Sequence, residues 1–200
     1  MGVESITDKM AGVVFRDRDM VQDDRGDLYQ ILGSIHPPDA VFALEKYHRI
    51  PPSEIQTGPA SPFYWIQNAT GDHFIRQIRK YTAQSAAAAI AQHPYHTFSP
   101  LFHTEMLLLP TARIVRHWNP QHRFQTLLDT ITHGSFSHRQ ALDPLEREAV
   151  EVAVTILEEC RLSPTALGIT GSLLWGVLIP DRILILWCMV GIPPLMCWLG

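Results

Sequence analysis

Hydrophobic and polar positions change their rhythm along this chain. Between Val13 and Tyr47 the apolar residues come in short runs, Val13 to Phe15, Leu28 to Ile35 and Val41 to Tyr47. Asp23 to Asp27 carries Arg25-Gly26 in an acidic turn, and His36-Pro37-Pro38-Asp39 stops the second run. Short alternating runs between such breakers predict a small antiparallel β unit. Arg49 to Pro62 holds Pro51, Pro52, Gly58, Pro59 and Pro62, which predicts a loop.

A helical rhythm then sets in. Phe74, Ile75, Ile78, Tyr81 and Ile90 recur at helical spacing, Ala86 to Ala89 favour helix, and Pro94 closes the segment. The pattern predicts a helix over Asp72 to Gln92. Arg76, Arg79 and Lys80 would share one side of it, either as a solvated face or as a phosphate-facing patch. Glu105 to Leu109, closed by Pro110, predicts a buried strand, and Thr111 to Thr130 predicts one or two short helices interrupted at Asn119-Pro120. Asp143-Pro144-Leu145-Glu146 is a strong helix start: an acid at the N-cap, proline at the first helical position and Glu three residues after the cap. Leu145, Ala149, Val152, Ile156 and Leu157 continue it as one apolar stripe to about Glu159. Leu167 to Thr170 predicts a short strand, and Gly171-Ser172 turns the chain into Leu173-Leu174-Trp175-Gly176. The chain has no internal repeat.

Composition narrows the function classes. Hydrophobic residues are 46% and charged residues 18%, an ordinary globular balance. A formal net charge of -4 argues against a protein built for bulk nucleic-acid binding, although a local basic groove stays open. The 3 cysteines, Cys160, Cys188 and Cys197, form no CxxC pair and no even framework, which fits a reducing compartment. The first residues contain no apolar core of a signal peptide, and Ile6 stands where myristoylation wants Ser or Thr. The expected location is cytoplasmic.

The segment that carries chemistry is Gly168-Ile169-Thr170-Gly171-Ser172-Leu173-Leu174-Trp175-Gly176. A strand that runs through Gly-Ser into a helix offers free amides and a hydroxyl to the phosphates of a nucleotide. Alone that signal is weak, because Gly-Ser turns are common. The order capped helix, short strand, Gly-Ser, short helix resembles the opening of the DNA polymerase β nucleotidyltransferase fold. Phe15-Arg16-Asp17-Arg18-Asp19, His36-Pro37-Pro38-Asp39, Lys46-Tyr47 and Asp143-Pro144-Leu145-Glu146-Arg147 look like predicted archaeal nucleotidyltransferases of that superfamily. The resemblance covers roughly Phe15 to Pro180. It implies a β-rich N-terminal region ahead of the transferase module, with Gly171 and Ser172 cradling phosphate and Gly176 letting the short helix pack closely.

The family next requires Asp-x-Asp on the following strand, because two carboxylates there hold the Mg²⁺ ions that bridge the nucleoside triphosphate. This chain departs from the pattern: from Arg182 to Gly200 it has no acid at all. The genetic code offers a reason. One base restored before the Arg182 codon lets the following codons spell Ser-Asp-Ile-Asp-Leu-Val-Val-Tyr-Gly. Much of that reading uses free third bases, but Trp187-Cys188 forces Val, Met189-Val190 forces Gly, and Cys188-Met189 permits only Tyr or His. A frameshift near Asp181 is therefore expected, with the missing acids falling about where Arg182 to Leu184 stand.

Ile183 to Leu199 is also long enough to approach a membrane span, so a tail-anchored membrane protein is the principal rival. Pro193-Pro194 near its middle and the scarcity of basic flanks count against it. The 10 histidines include the neighbours His93, His96 and His103, the pair His117 and His122, and the pair His133 and His138. They lack cysteine partners or an HExxH pattern and are read as surface or core-edge residues. Cys160, at the end of an apolar helix, is read as an inert thiol.

The resulting expectation is an α+β fold. Residues 1–140 would form a β-rich and helical N-terminal domain, residues 141–181 the incomplete first half of a nucleotidyltransferase module, and residues 182–200 an apolar out-of-frame tail. The implied ancestral activity is Mg²⁺-dependent transfer of a nucleoside monophosphate to a hydroxyl acceptor, RNA among the candidates. The nucleotide-binding residues would be Gly171, Ser172 and Gly176, with catalytic and metal-binding acids absent and no functional cofactor. A further alternative is an RNA- or protein-binding module in the N-terminal domain.

Overall fold

A computed structural model of the chain describes residues 12–54, 64–67, 70–78, 82–100, 102–178 and 185–188. The fold is mixed α+β, with a large antiparallel sheet and few helices. The chain divides into two compact units, residues 1–117 and 118–200.

The first unit contains β1 (Met20–Asp23), β2 (Leu28–Ile31), β3 (Ala40–Ile50), β4 (Tyr64–Gln67), β5 (His73–Arg76), α1 (Ala83–Ala91), β6 (His96–Ser99), β7 (Thr104–Pro110) and β8 (Ile114–Trp118). Its strands run in the order β4, β5, β3, β2, β1, β8, while β7 pairs with both β3 and β6. The long strand β3 organises this arrangement. One edge bonds β2, and the other bonds β7 along Ala40 to Ala43 and β5 along Tyr47 to Ile50. Val21, Tyr29, Ile31, Val41, Ala43, Leu107 and Leu109 bury one face by period-two alternation, joined by Phe15 and Ile114, and Ile90 of α1 packs against them.

The strand expected over Leu28 to Ile35 ends at Ile31, and that expected over Val41 to Tyr47 extends to Ile50. Arg49 therefore belongs to a strand rather than to a loop, and residues 55–62 of the expected loop lie outside the described residues. The helix expected from Asp72 is corrected. His73 to Arg76 is a strand, and the helix begins at Ala83, where the Thr82 hydroxyl accepts from the Ser85 amide at 3.1 Å. Phe74 and Ile75 fit a strand as well as a helix, and bonding to β4 on one edge and β3 on the other decides between them. Gly71, with φ 71, makes the turn from β4 into β5. Of the expected basic helix face, Arg76 stands on the strand instead, over the Trp65 ring at 5.8 Å, and Arg79 and Lys80 lie outside the described residues.

The second unit contains α2 (Pro120–His133), α3 (Phe136–Ala141), α4 (Pro144–Cys160), β9 (Leu167–Thr170), α5 (Ser172–Trp175), β10 (Val177–Leu178) and β11 (Ile185–Cys188). The expected interruption at Asn119-Pro120 is a boundary, since Ile114 to Trp118 is a strand and the Asn119 side chain caps α2 through the His122 amide. The capping box at α4 forms as expected. Asp143 Oδ1 accepts from the Leu145 amide at 2.9 Å, and the Asp143 amide donates to Glu146 Oε2 at 3.0 Å. Phe124 and Leu127 of α2 meet Ala149, Val150, Ala153 and Leu157 of α4 and Leu167 and Ile169 of β9 in one core. Helix α2, expected with the N-terminal domain ending at 140, thus shares its core with α4 and β9. Arg123 ties the unit further, donating to the Leu173 carbonyl at 3.2 Å and pairing with Glu146.

Within the apolar tail, Ile185 to Cys188 forms a strand antiparallel to β9, with Ile185 opposite Thr170. Residues 189–200 lie outside the described residues. Among the described residues no helix is long and apolar enough to cross a membrane.

Candidate functional site

The densest polar chemistry lies in the first unit, around the β1–β2 turn. Asp23 is fully buried and accepts four hydrogen bonds. Its Oδ1 takes the amides of Arg25 at 3.0 Å and Asp27 at 2.8 Å, and its Oδ2 takes Arg25 Nε at 3.1 Å and the Tyr29 hydroxyl at 3.3 Å. The turn is thus folded around a carboxylate, with Gly26 at φ 94. Tyr29 in turn accepts from Arg25 at 3.2 Å and lies 3.3 Å from His93 Nε2. His93 Nδ1 accepts from the Tyr95 amide at 3.1 Å, so the neutral ring carries its proton on Nε2 and donates it to Tyr29.

Beside this network Asp27, Glu45 and His48 converge. His48 Nδ1 is 2.9 Å from Asp27 Oδ1 and 3.4 Å from Glu45 Oε1. A residue pair three apart on a regular strand faces opposite ways, which would separate Glu45 from His48. Here the register between β2 and β3 shifts: Leu28 stands opposite Tyr47 but Tyr29 opposite Glu45. Lys46 is the extra residue of a β-bulge, and the bulge brings Glu45 and His48 onto one side. The convergence also falls where the other edge of β3 changes partner, between the β7 pairing that ends at Ala43 and the β5 pairing that begins at Tyr47. A cavity of about 290 Å³ opens there, lined by Arg25, Asp27, Glu45, His48, Gln77 and His93, among others.

Burial governs the charges in this cavity. Glu45 is pushed up to about 7, first by burial and then by the charge of Asp27. Burial also raises Asp27, against the opposing hydrogen bond from the Arg49 amide. His93 is lowered to about 4 by burial and by Arg25, and so stays neutral near pH 7. The consequence for stability has a definite sign. Glu45 binds its proton more tightly in the folded state, so its contribution is full below its ordinary value of 4.5 and is lost as pH rises through about 7. The depressed His93 acts oppositely, contributing above its ordinary value of 6.5 and losing that as pH falls toward about 4. Because the two windows overlap, the difference between the wild type and Glu45→Gln isolates the glutamate. In urea unfolding with EDTA present, the stability of the wild type relative to Glu45→Gln is expected to fall steadily from pH 4.5 to pH 7. A flat difference would show that Glu45 does not hold its proton in the folded state.

The residues expected from the sequence lie in the second unit. β9 ends at Thr170, Gly171 adopts φ 73 and ψ −147, and Ser172 begins α5. That backbone conformation is essentially restricted to glycine, so Gly171 fixes the turn. Ser172 is 8% exposed. Gly176 ends α5 with φ 73 and ψ 56, and a Cβ on it would meet none of the described residues within 4 Å. Its glycine serves the left-handed backbone at the end of α5. A close approach occurs at Gly168, where a Cβ would lie 2.7 Å from Pro120 Cβ.

The histidines read as surface or core-edge residues divide. His93 is buried in the network above, and His117 Nε2 lies 2.6 Å from the buried Asp19 carboxylate. Sequence reasoning passed over Asp27, Glu45 and His48, because 18 and 3 positions separate them and no ligand motif has that spacing. Cys160 is an exposed free thiol.

Fold and sites together define an α+β protein with a polar cavity in its sheet unit and a Gly-Ser turn in its helical unit. Neither a family model, nor a curated protein, nor a solved structure matches the chain.

Proposed function

We propose that residues 141–181 are the opening half of a nucleotidyltransferase module of the DNA polymerase β type, preceded by a β-rich and helical N-terminal domain in a cytoplasmic protein. The observation that supports this most is the sequence of strand, Gly-Ser turn, short helix and returning antiparallel strand, from Leu167 to Cys188. In this reading Gly171 and Ser172 contact phosphate, and the family's metal-binding acids would fall about where Arg182 to Leu184 stand, just ahead of β11. The fit to Mg²⁺ fails there, because no acid occurs from Arg182 onward. No catalytic step through the metal follows for this chain, and it is proposed to be inactive in transfer.

The test compares two purified proteins, this chain and the product of the gene with one base restored before the Arg182 codon. Each is incubated with labelled nucleoside triphosphate, Mg²⁺ and total RNA, with acceptor and donor products resolved. Transfer or triphosphate turnover by the restored protein alone supports the reading. Turnover by the chain as written overturns the proposed inactivity, and a restored protein that neither binds nor turns over triphosphate overturns the family assignment.

A further inference from the structure

We propose that Asp27, Glu45 and His48 form a binding site for one divalent transition-metal ion, with Zn²⁺ as the ion best suited to it. The three side chains each offer a ligand atom, and these atoms all lie within 4.8 Å of one another. Zinc–oxygen and zinc–nitrogen bonds of about 2.0–2.2 Å bring the ligands of a tetrahedral site to roughly 3.3–3.5 Å from each other, so only small side-chain adjustments are needed. His48 Nδ1 already faces both acids, at 2.9 Å from Asp27 and 3.4 Å from Glu45.

Three further features favour an ion there. The ligands line a cavity, with His48 half-exposed and Asp27 almost wholly buried, so an ion has both an entry and a floor. The Asp27 carboxylate is held on both sides: the Arg49 amide donates to Oδ1 at 2.9 Å, and Arg25 Nε lies 3.7 Å from Oδ2. Such fixing of a ligating carboxylate is what metal sites use to set orientation. The charges also leave room for a cation. Asp23, Asp27 and Glu45 are gathered around Arg25, whose guanidinium is committed to Asp23 and Tyr29. One imidazole with two carboxylates suits Zn²⁺ or Mn²⁺, whereas Ca²⁺ and Mg²⁺ favour all-oxygen shells. The remaining position or positions would be filled by water from the cavity.

The rival description leaves the site metal-free, with His48 serving only as the hydrogen-bonding partner of both acids. Titration of the full-length, EDTA-stripped protein with Zn²⁺ by calorimetry at pH 7.5 separates them. One equivalent of Zn²⁺ should bind, and Co²⁺ in its place should give visible absorption of a nitrogen- and oxygen-ligated ion. His48→Ala and Glu45→Gln should each weaken Zn²⁺ binding by at least about tenfold, the scale on which even supporting residues of a metal site act. Both positions accept these changes without opening the core, and circular dichroism checks that each variant is folded. His96→Ala, on an exposed side chain, should leave binding unchanged. Absence of Zn²⁺ binding overturns the proposal in favour of the metal-free arrangement. Binding that survives His48→Ala also overturns it, since the ion then sits elsewhere.

Discussion

Replacing Asp23 with alanine is expected to unfold the β1–β2 region, lowering the stability of the first unit by several kcal/mol, since each buried donor left without its acceptor costs about 1–3 kcal/mol. Four donors converge on this one carboxylate; Arg25 keeps Asp27 Oδ2 at 3.7 Å, but the two turn amides depend on Asp23. The amides of Arg25 and Asp27 would be left without a partner inside the turn, and the Arg25 guanidinium would lose the anion that holds it. Asp23→Asn keeps an acceptor and the shape but removes the charge, so an intermediate loss is expected. Amide hydrogen exchange across β1 and β2 measures the effect locally, which matters in a chain of two units that need not unfold together. Unchanged protection of the Asp27 and Tyr29 amides in Asp23→Ala would refute the assignment of Asp23 as the organiser of the turn. Glu45→Gln, in the same cavity, removes no such set of bonds and should leave these amides protected.

Gly168→Ala is expected to cost the second unit about 2–3 kcal/mol, near the upper end for a single overpacking substitution. Its φ is unremarkable, so the cost is one of space. The added Cβ would stand 2.7 Å from Pro120 Cβ, 3.0 Å from the Pro120 carbonyl carbon and 3.1 Å from the Gln121 amide nitrogen. Two of those three atoms are backbone at the first turn of α2. That turn is held by the Asn119 cap and by Gln121 Nε2, which donates to the Thr165 carbonyl at 2.6 Å. Either α2 moves away from β9, thinning the core around Phe124, or the strand bends. Denaturation followed by loss of α4 helicity reports this, and Ala149→Gly, which removes a buried methyl group, provides a comparison of a different kind. A Gly168→Ala protein as stable as the wild type would show that α2 and β9 are not so closely apposed.

The parts of this fold that could be read from the sequence are those decided locally. The Asp143 capping box and the Gly171 turn each depend on neighbours within a few residues, and each stands where the pattern put it. β5 depended on partners instead: Phe74 pairs opposite Arg49 and Trp65, and no local signal foretells those pairings. The missed helix start at Thr82 did carry a signal, a capping hydroxyl three residues before Ser85. The cavity in the sheet was hidden more deeply. Asp27 meets Glu45 and His48 only through the pairing of β2 with β3, and Glu45 meets His48 only because Lys46 is an extra residue. Period-two reasoning assigns those two side chains to opposite faces, so a bulge invisible in the sequence turns a correct rule into a wrong site.

The position of β3 has a consequence for how quickly the first unit is made. Its first half bonds to β7, far along the chain, with Val41 opposite Leu109, while its second half bonds to the nearer β5. The nearer contacts close small loops and can form early, whereas the β7 contact must wait for most of the unit to be present and for a long loop to close. During synthesis the apolar edge of β3 from Val41 to Ala43 therefore stays uncovered until Leu107 and Leu109 have emerged. That interval, rather than the finished fold, is when the sheet is most open to pairing with the wrong chain.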